Sequence, residues 1–365
     1  MSEPRVWHLL SNRWNSAITE YALSSARACE TFCSSSMFLA LADSPGAARA
    51  APCGIPVKQL RGFGLSEWST LHALAKEFRP DLVFAYGGPE TVGTLALRAA
   101  GHRFRTIRFR GADGDWAFNP RAIQHRISHS HIDLVITPGE RLTRALNGKF
   151  KAPVVTIPIG CDSGKFLFKA QSTAPRRNEV QILGRLDPVK GHREFIELFA
   201  DAIKNWPTEK TRPLLHIIGE SSNLSASEIH AWALSQGLRE EIDFRLTSRR
   251  VENLADLMSG AALAAIPSVG SEVICRVAVE YLLCGVPLFV SGVGSLDDHV
   301  GPGLGVSARG LGKEEASRLL QTKLVESLAE NDDSRRARSE IASRRWSIAA
   351  MANSLRERLG ELSNR

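Results

Sequence analysis

Short apolar runs alternate along the chain with longer stretches of helical period. In the first half, runs at 6–10, 37–42, 81–86, 105–109, 132–136 and 154–157 read as strands. Helical spacing covers 17–28, 68–78, 88–100 and 138–147, and Arg79-Pro80 closes the second of these. Residues 47–54, small and carrying proline and glycine, read as a loop. The second half repeats the rhythm, with strands at 180–183, 214–218, 242–244, 263–266 and 288–290. An amphipathic helix follows at 193–203. Another opens at Gly270-Ser271, with Ser271 as its N-cap, and runs to Cys284 before Gly285-Val-Pro287. From Lys313 the chain is helical and charge-rich. In 343–359, Trp346, Ile348, Met351 and Leu355 recur at helical spacing and read as buried packing.

Strands alternating with helices predict an α/β protein with parallel, doubly wound sheets. The polar, basic, proline-bearing segment 170–178 reads as a linker. It separates an N-terminal domain, 1–169, from a C-terminal domain, 170–340, followed by a terminal helical segment, 341–365.

Two loops of the second half carry candidate chemistry. Gly184-Arg-Leu-Asp-Pro-Val-Lys190-Gly-His follows a strand and precedes a helix. Arg185 can grip phosphate oxygens with its fork and Lys190 can act as a point charge. The plainer reading is a solvated surface loop. The second loop, Ser268 to Glu280, follows the strand 263–266. Glu272 stands at the predicted helix opening and Glu280 eight residues on, about 12 Å further along one helix. Two carboxylates so spaced can hold hydroxyls at two points of one elongated ligand. Against this stands a capped helix with Glu280 on its solvated face.

Together these residues resemble the retaining glycosyltransferases of the GT-B fold, in the large family that includes bacterial lipopolysaccharide core and mannosyl transferases. Glu272 and Glu280 match its Glu-x7-Glu motif, and Arg185 and Lys190 match its Gly-Arg…Lys-Gly phosphate motif. The resemblance implies two facing Rossmann-like domains, with the last helix crossing back onto the first. It implies a donor site of Gly184, Arg185, Lys190, Glu272, Ile274, Cys275, Arg276 and Glu280. Glu272 would face the donor sugar and Glu280 the donor ribose, with Arg185 and Lys190 stabilising the leaving phosphate. On the acceptor side it points to Asn15, Arg110 and Asp115, with Asp113 as a carboxylate partner for the acceptor hydroxyl. Local turn bonding explains Asp113 and Asp115 equally simply. Arg245 to Arg250 falls where the nucleotide base would sit. Val273 and Cys275 stand where many members carry glycine, and Arg276 where an aliphatic residue is usual. A cation in a first helical turn calls for a nearby anion, which makes Arg276 a further phosphate ligand.

Composition narrows the classes. The 365 residues suffice for two cored domains, and no apolar run approaches the roughly 18 residues of a spanning helix. No signal-peptide pattern opens the chain, so the expected location is cytoplasmic, peripheral on the inner face of the cytoplasmic membrane. Six scattered cysteines, without a Cys-x-x-Cys pair, fit reduced structural thiols. A net charge of +7 suits a nucleotide sugar, a glycan or glycolipid acceptor, or an anionic membrane surface. Nucleic acid is excluded as partner, because no recognised binding motif accompanies the charge. No cofactor and no metal is expected: the cations serve the phosphates, and Asp113-Gly-Asp115 is read as a loop rather than a metal triplet. The leading expectation is sugar transfer from a nucleotide-diphosphate donor to a hydroxyl. The alternative is a non-catalytic nucleotide-sugar-binding or scaffold protein on the same fold. A dehydrogenase is set aside because no Gly-x-Gly-x-x-Gly follows the first strand.

Overall fold

The computed structural model describes residues 3–14, 16–64, 67–111, 129–171, 176–204, 206–270 and 272–363. The chain forms two compact units. The first holds residues 1–160 with 345–365, and the second holds 161–344.

In the first unit, strands β1 (Arg5–Leu10), β2 (Ser35–Leu41), β3 (Val57–Leu60), β4 (Leu82–Ala85), β5 (Arg105–Phe109), β6 (Leu134–Thr137) and β7 (Val154–Thr156) form one parallel sheet, ordered β3-β2-β1-β4-β5-β6-β7. Among the described residues up to 160, its α-helices are α1 (Ala17–Cys29), α2 (Pro45–Ala50), α3 (Trp68–Phe78), α4 (Gly88–Ala99) and α5 (Glu140–Leu146). Central strands such as β4, Leu-Val-Phe-Ala, are buried at every position, as a sheet covered on both faces requires.

The second unit carries β8 (Glu179–Leu183), α6 (His192–Lys204), β9 (Leu214–Ile218), α7 (Ala226–Ser235), β10 (Phe244–Thr247), α8 (Leu254–Ser259), β11 (Leu263–Ile266), α9 (Arg276–Leu283), β12 (Leu288–Val290), β13 (Gly305–Ser307) and α10 (Lys313–Leu328). Its six strands are parallel in the order β10-β9-β8-β11-β12-β13. Helix α11 (Asp332–Trp346) docks through buried arginines rather than an apolar stripe. Arg335 and Arg338 donate to the Gly285 carbonyl just past the end of α9, and Arg335 also to the Ser259 carbonyl at the end of α8. Cations on helix-terminal carbonyls are favourable there. Helix α12 (Ile348–Ser363) belongs to the first unit and packs on α1, burying Met351, Leu355 and Leu359.

Several boundaries differ from the sequence reading. Residues 45–50 are helical rather than loop: Ser44 caps the Ala47 amide and Pro45 takes the first turn, where its missing N–H costs nothing. Strand β3 escaped because Lys58 and Gln59 are exposed on a sheet edge, and β13, Gly-Val-Ser, because it has a single apolar residue. Strand β10 begins at Phe244, not 242. Ile242 is 54% exposed, and the Asp243 carboxylate is taken by Arg212 and Arg239 before the strand starts. Arg245 therefore lies in the strand instead of a base-facing loop. The predicted helix 343–359 is two helices, divided at Ser347, whose hydroxyl caps the Ala350 amide.

Candidate active site

In the second unit the order of strands reverses direction between β8 and β11. In open α/β sheets, ligands bind beyond the carboxyl ends of the strands at such a switch point. The loops that leave these two strands, 184–191 and 267–275, hold every donor-side residue named above except Arg276 and Glu280, which lie on α9.

Glycines lock the loops together. The first loop is shaped by Asp187, whose carboxylate accepts the Val189 amide at 3.0 Å and the Asn223 side-chain amide at 2.7 Å. Gly191 ends the turn at φ +70°, and a Cβ there would lie 2.0 Å from the Pro267 carbonyl oxygen. A Cβ on Gly270 would lie 2.0 Å from Val189 Cγ2. Only residues without side chains permit this approach, and the Val269 amide then reaches the Val189 carbonyl at 2.9 Å. His192 supports the loop from beneath: its Nε2 lies 3.0 Å from the Arg185 carbonyl oxygen, and burial lowers the pKa of its ring.

The lock sets charges face to face. Lys190 Nζ donates to Glu272 Oε1, which also accepts the Ser268 hydroxyl at 2.8 Å. The main chain of Glu272 is fixed by the Ser295 amide, 2.8 Å from its carbonyl oxygen, and by Gly294, where a Cβ would lie 2.2 Å from that oxygen. Arg276 Nε lies 2.9 Å from Glu280 Oε1. Lys190, Glu272, Arg276, Gly184, Ile274 and Cys275 line one small cavity of about 160 Å³. Burial, with Glu272 nearby, pushes the Cys275 thiol up, so it is a neutral apolar wall rather than a nucleophile. Arg185 is exposed beside this cavity and makes no ion pair among the described residues.

One sequence expectation is corrected here. Helix α9 starts at Arg276, so Glu272 is not on it, and the two glutamates are not spaced along one helix. The β-branched pair Val273-Ile274 favours extended backbone, and the bonds to Glu272 are tertiary. Ser271, the expected cap, lies outside the described residues, and Cys275 takes the N-cap position without a side-chain bond.

Of the acceptor-side residues, Arg110 follows β5 at the carboxyl end of the first unit's sheet. Asn15, Asp113 and Asp115 lie outside the described residues. The sequence reading missed Glu90 at this edge. Its carboxylate is fully buried at the start of α4 and accepts the Ser11 amide at 2.5 Å. Burial raises its pKa against the pull of backbone amides and of Arg108. Its signal in the sequence is the acid three residues after Gly87, in a first helical turn. Ser268 was also passed over; its signal is a hydroxyl four residues before Glu272.

Residues 165–345 match the family model of the glycosyl transferases group 1. This segment spans nearly the whole second unit and contains both locked loops. No curated protein matches the chain in sequence. Solved structures share its fold at low identity. The Anabaena protein Alr3699/HepE, in complex with UDP, aligns over 98% of this chain and 100% of its own with a TM-score of 0.78 and 18% identity. A glycosyltransferase from Rickettsia africae aligns over 99% of both chains with a TM-score of 0.78 and 10% identity. The lipopolysaccharide outer core galactosyltransferase WaaB aligns over 98% of this chain and 99% of its own, at 0.70 and 14%. The fold is that of GT-B glycosyltransferases.

Within the matched segment the buried carboxylates of Glu272 and Glu280 each face a cation, Lys190 and Arg276, that lines the cavity. A phosphate-bearing ligand entering there would compete with the carboxylates for those cations. Among the described residues, no group of three or more His, Cys, Asp or Glu could hold a metal ion.

Proposed function

We propose that this protein is a retaining glycosyltransferase that moves a sugar from a nucleotide-diphosphate donor to a hydroxyl of an envelope-glycan or lipopolysaccharide-type acceptor, without a metal. The observation that carries this reading is the cavity in which Lys190 meets Glu272, with Arg276 on Glu280 at its wall. The group 1 match to this segment and the UDP complexes of HepE support it.

In this reading Arg185 and Lys190 take the diphosphate, and Glu280 takes the ribose hydroxyls. The bond from the anomeric carbon to the phosphate oxygen breaks, and its electron pair stays with the nucleoside diphosphate. The two cations stabilise that charge, which is the role a metal serves elsewhere. Glu272 steadies the positive charge left on the sugar. The acceptor oxygen bonds to the same face of the anomeric carbon, and its proton passes to the departing phosphate, with Asp113 as a carboxylate partner for that hydroxyl. Arg110, Asn15 and Asp115 serve the acceptor side.

The test is release of UDP, ADP or GDP by the purified protein, given each nucleotide sugar and an envelope extract. Release that depends on both donor and extract is expected. Donor binding without any release would favour the non-catalytic alternative, which the occupation of Glu280 by Arg276 motivates.

We also propose a cytoplasmic location with reversible, salt-sensitive contact to anionic lipid. The net charge of +7 motivates it, and no helix among the described residues is long and apolar enough to cross a membrane. Exposed charges are screened beyond about 10 Å at roughly 0.1 M salt, so vesicle co-sedimentation should be strongest at low salt. Absence of binding there would remove the idea.

A further inference from the structure

Arg276 and Glu280 are unequal partners. Glu280 is 2% exposed and held on the inner side of α9, whereas the Arg276 side chain is 38% exposed and lines the cavity beside Lys190. Only the cation has room to leave. It also stands in the first turn of its helix, where the free backbone amides favour an anion over a guanidinium. A buried carboxylate in turn keeps a cation until something replaces it, because an uncompensated buried charge is costly.

We propose that Arg276 determines which ligands the donor cavity accepts. It is held by Glu280 and exchanges that carboxylate for the donor's diphosphate, and the exchange frees Glu280 for the ribose hydroxyls. This rests on the donor-site reading above. A nucleoside without phosphates must open the ion pair and gives the guanidinium nothing in return. A nucleoside diphosphate gives it a bidentate partner and gives Glu280 two hydroxyls. The site thereby rejects nucleosides and selects diphosphates through one side chain. Lys190 on Glu272 is arranged the same way, so two of the three cations read as phosphate ligands, Lys190 and Arg276, are drawn from carboxylates of the donor site.

Calorimetric titration of uridine, adenosine and guanosine, and of UDP, ADP and GDP, into the wild-type chain and Arg276→Met tests this. Methionine keeps the unbranched stem of the side chain without the charged guanidinium. Diphosphate affinity is expected to fall by about tenfold, the scale of one charge-assisted bond, while affinity for the matching nucleoside rises by roughly threefold or more. The two shifts have opposite signs. Equal weakening of both ligands would make Arg276 a fixed support of Glu280 and overturn the proposal. No change in either would make it a surface ion pair, with the same result. Should Arg276→Met fail to fold, Arg276→Lys carries the test, with smaller shifts in the same opposite directions. If the wild-type chain binds none of the three diphosphates, the donor-site reading itself falls, which the wild-type titration alone reveals.

Discussion

In each unit the first strand, β1 or β8, lies third from one edge of its sheet, and the chain crosses to the other half beside it, at β4 or β11. The loops at that crossing are built differently. In the first unit, residues 11–16 contain no glycine, and the Ser11 amide is tied to the buried Glu90. Two polar groups behind it, His8 and Tyr86, are kept uncharged by burial. The His8 ring, 2.9 Å from the Tyr86 hydroxyl and stacked on Phe84, has its pKa lowered to about 3, and the Tyr86 hydroxyl is raised well above its ordinary value. In the second unit, glycines clamp two loops together and the charges are ion-paired at a cavity wall. One wiring thus serves two purposes. A sheet topology fixes where loops meet, and the side chains on them decide whether a charged ligand has anything to displace.

The largest effect that tests this contrast is on turnover. Glu272→Gln keeps acceptors for Lys190 and Ser268 but loses the charge that would face the sugar. Its kcat should fall by two to three powers of ten, roughly 2.7–4 kcal/mol of transition-state stabilisation, with donor affinity changed less. Glu90→Gln in the first unit should leave turnover near wild type. Steady-state kinetics and donor titration on both variants check this, and equal losses would erase the distinction.

Next comes the clamp. Gly191→Ala forces a Cβ against the Pro267 carbonyl at a positive φ. A destabilisation of roughly 2–4 kcal/mol is expected in chemical denaturation, together with weaker donor binding. An unchanged midpoint would show that the loops part easily.

A smaller effect belongs to the first unit. His8 has a folded pKa of about 3 against an unfolded value of 6.5, so between them the unfolded chain binds more protons. Its stabilising share is complete above about pH 6.5 and is lost as pH falls toward 3. From pH 7 to 5 the loss is about 2 kcal/mol. In His8→Phe, which suits the stack with Phe38 and Phe84, that part of the pH dependence should vanish from denaturation curves. In the second unit, burial pushes the Asp243 carboxyl up, but bonds from Arg239 and Arg212 prevail and hold it at about 2. Its share is present above about pH 3.8 and is lost only as pH falls through 2, so His8→Phe should leave the most acidic limb intact. The smallest effect expected is none: activity should survive EDTA. A loss that Mg²⁺ or Mn²⁺ restores would return Asp113 and Asp115 to consideration as ligands.

The chain disclosed most of its strands, though not β3 or β13, and its switch-point loops because period and glycine placement are local. Val180 to Leu183 and Leu263 to Ile266 read as strands by apolar content alone. The pairing of Lys190 with Glu272 was not legible, because it depends on Gly191 and Gly270 admitting a neighbouring loop 80 residues away in sequence. The start of α9 was misread for the same reason: Ser295 and Gly294 hold Glu272 out of the helix, and neither is near it in sequence. Glu90 was passed over because a first-turn acid is ordinary, and only its complete burial makes it unusual.

Helix α12 completes the first unit from the far end of the chain. During synthesis, α1 leaves the ribosome roughly 300 residues before the partner that covers it, an interval on the order of 15–60 s at about 5–20 residues per second. The second unit, continuous in sequence, is made in full before that partner appears. Order of synthesis and order of completion are therefore reversed. A ribosome-stalled chain ending at residue 344 should show a protease-resistant second unit and a first unit cut near α1; equal resistance of both would mean that α1 needs no cover to stay folded.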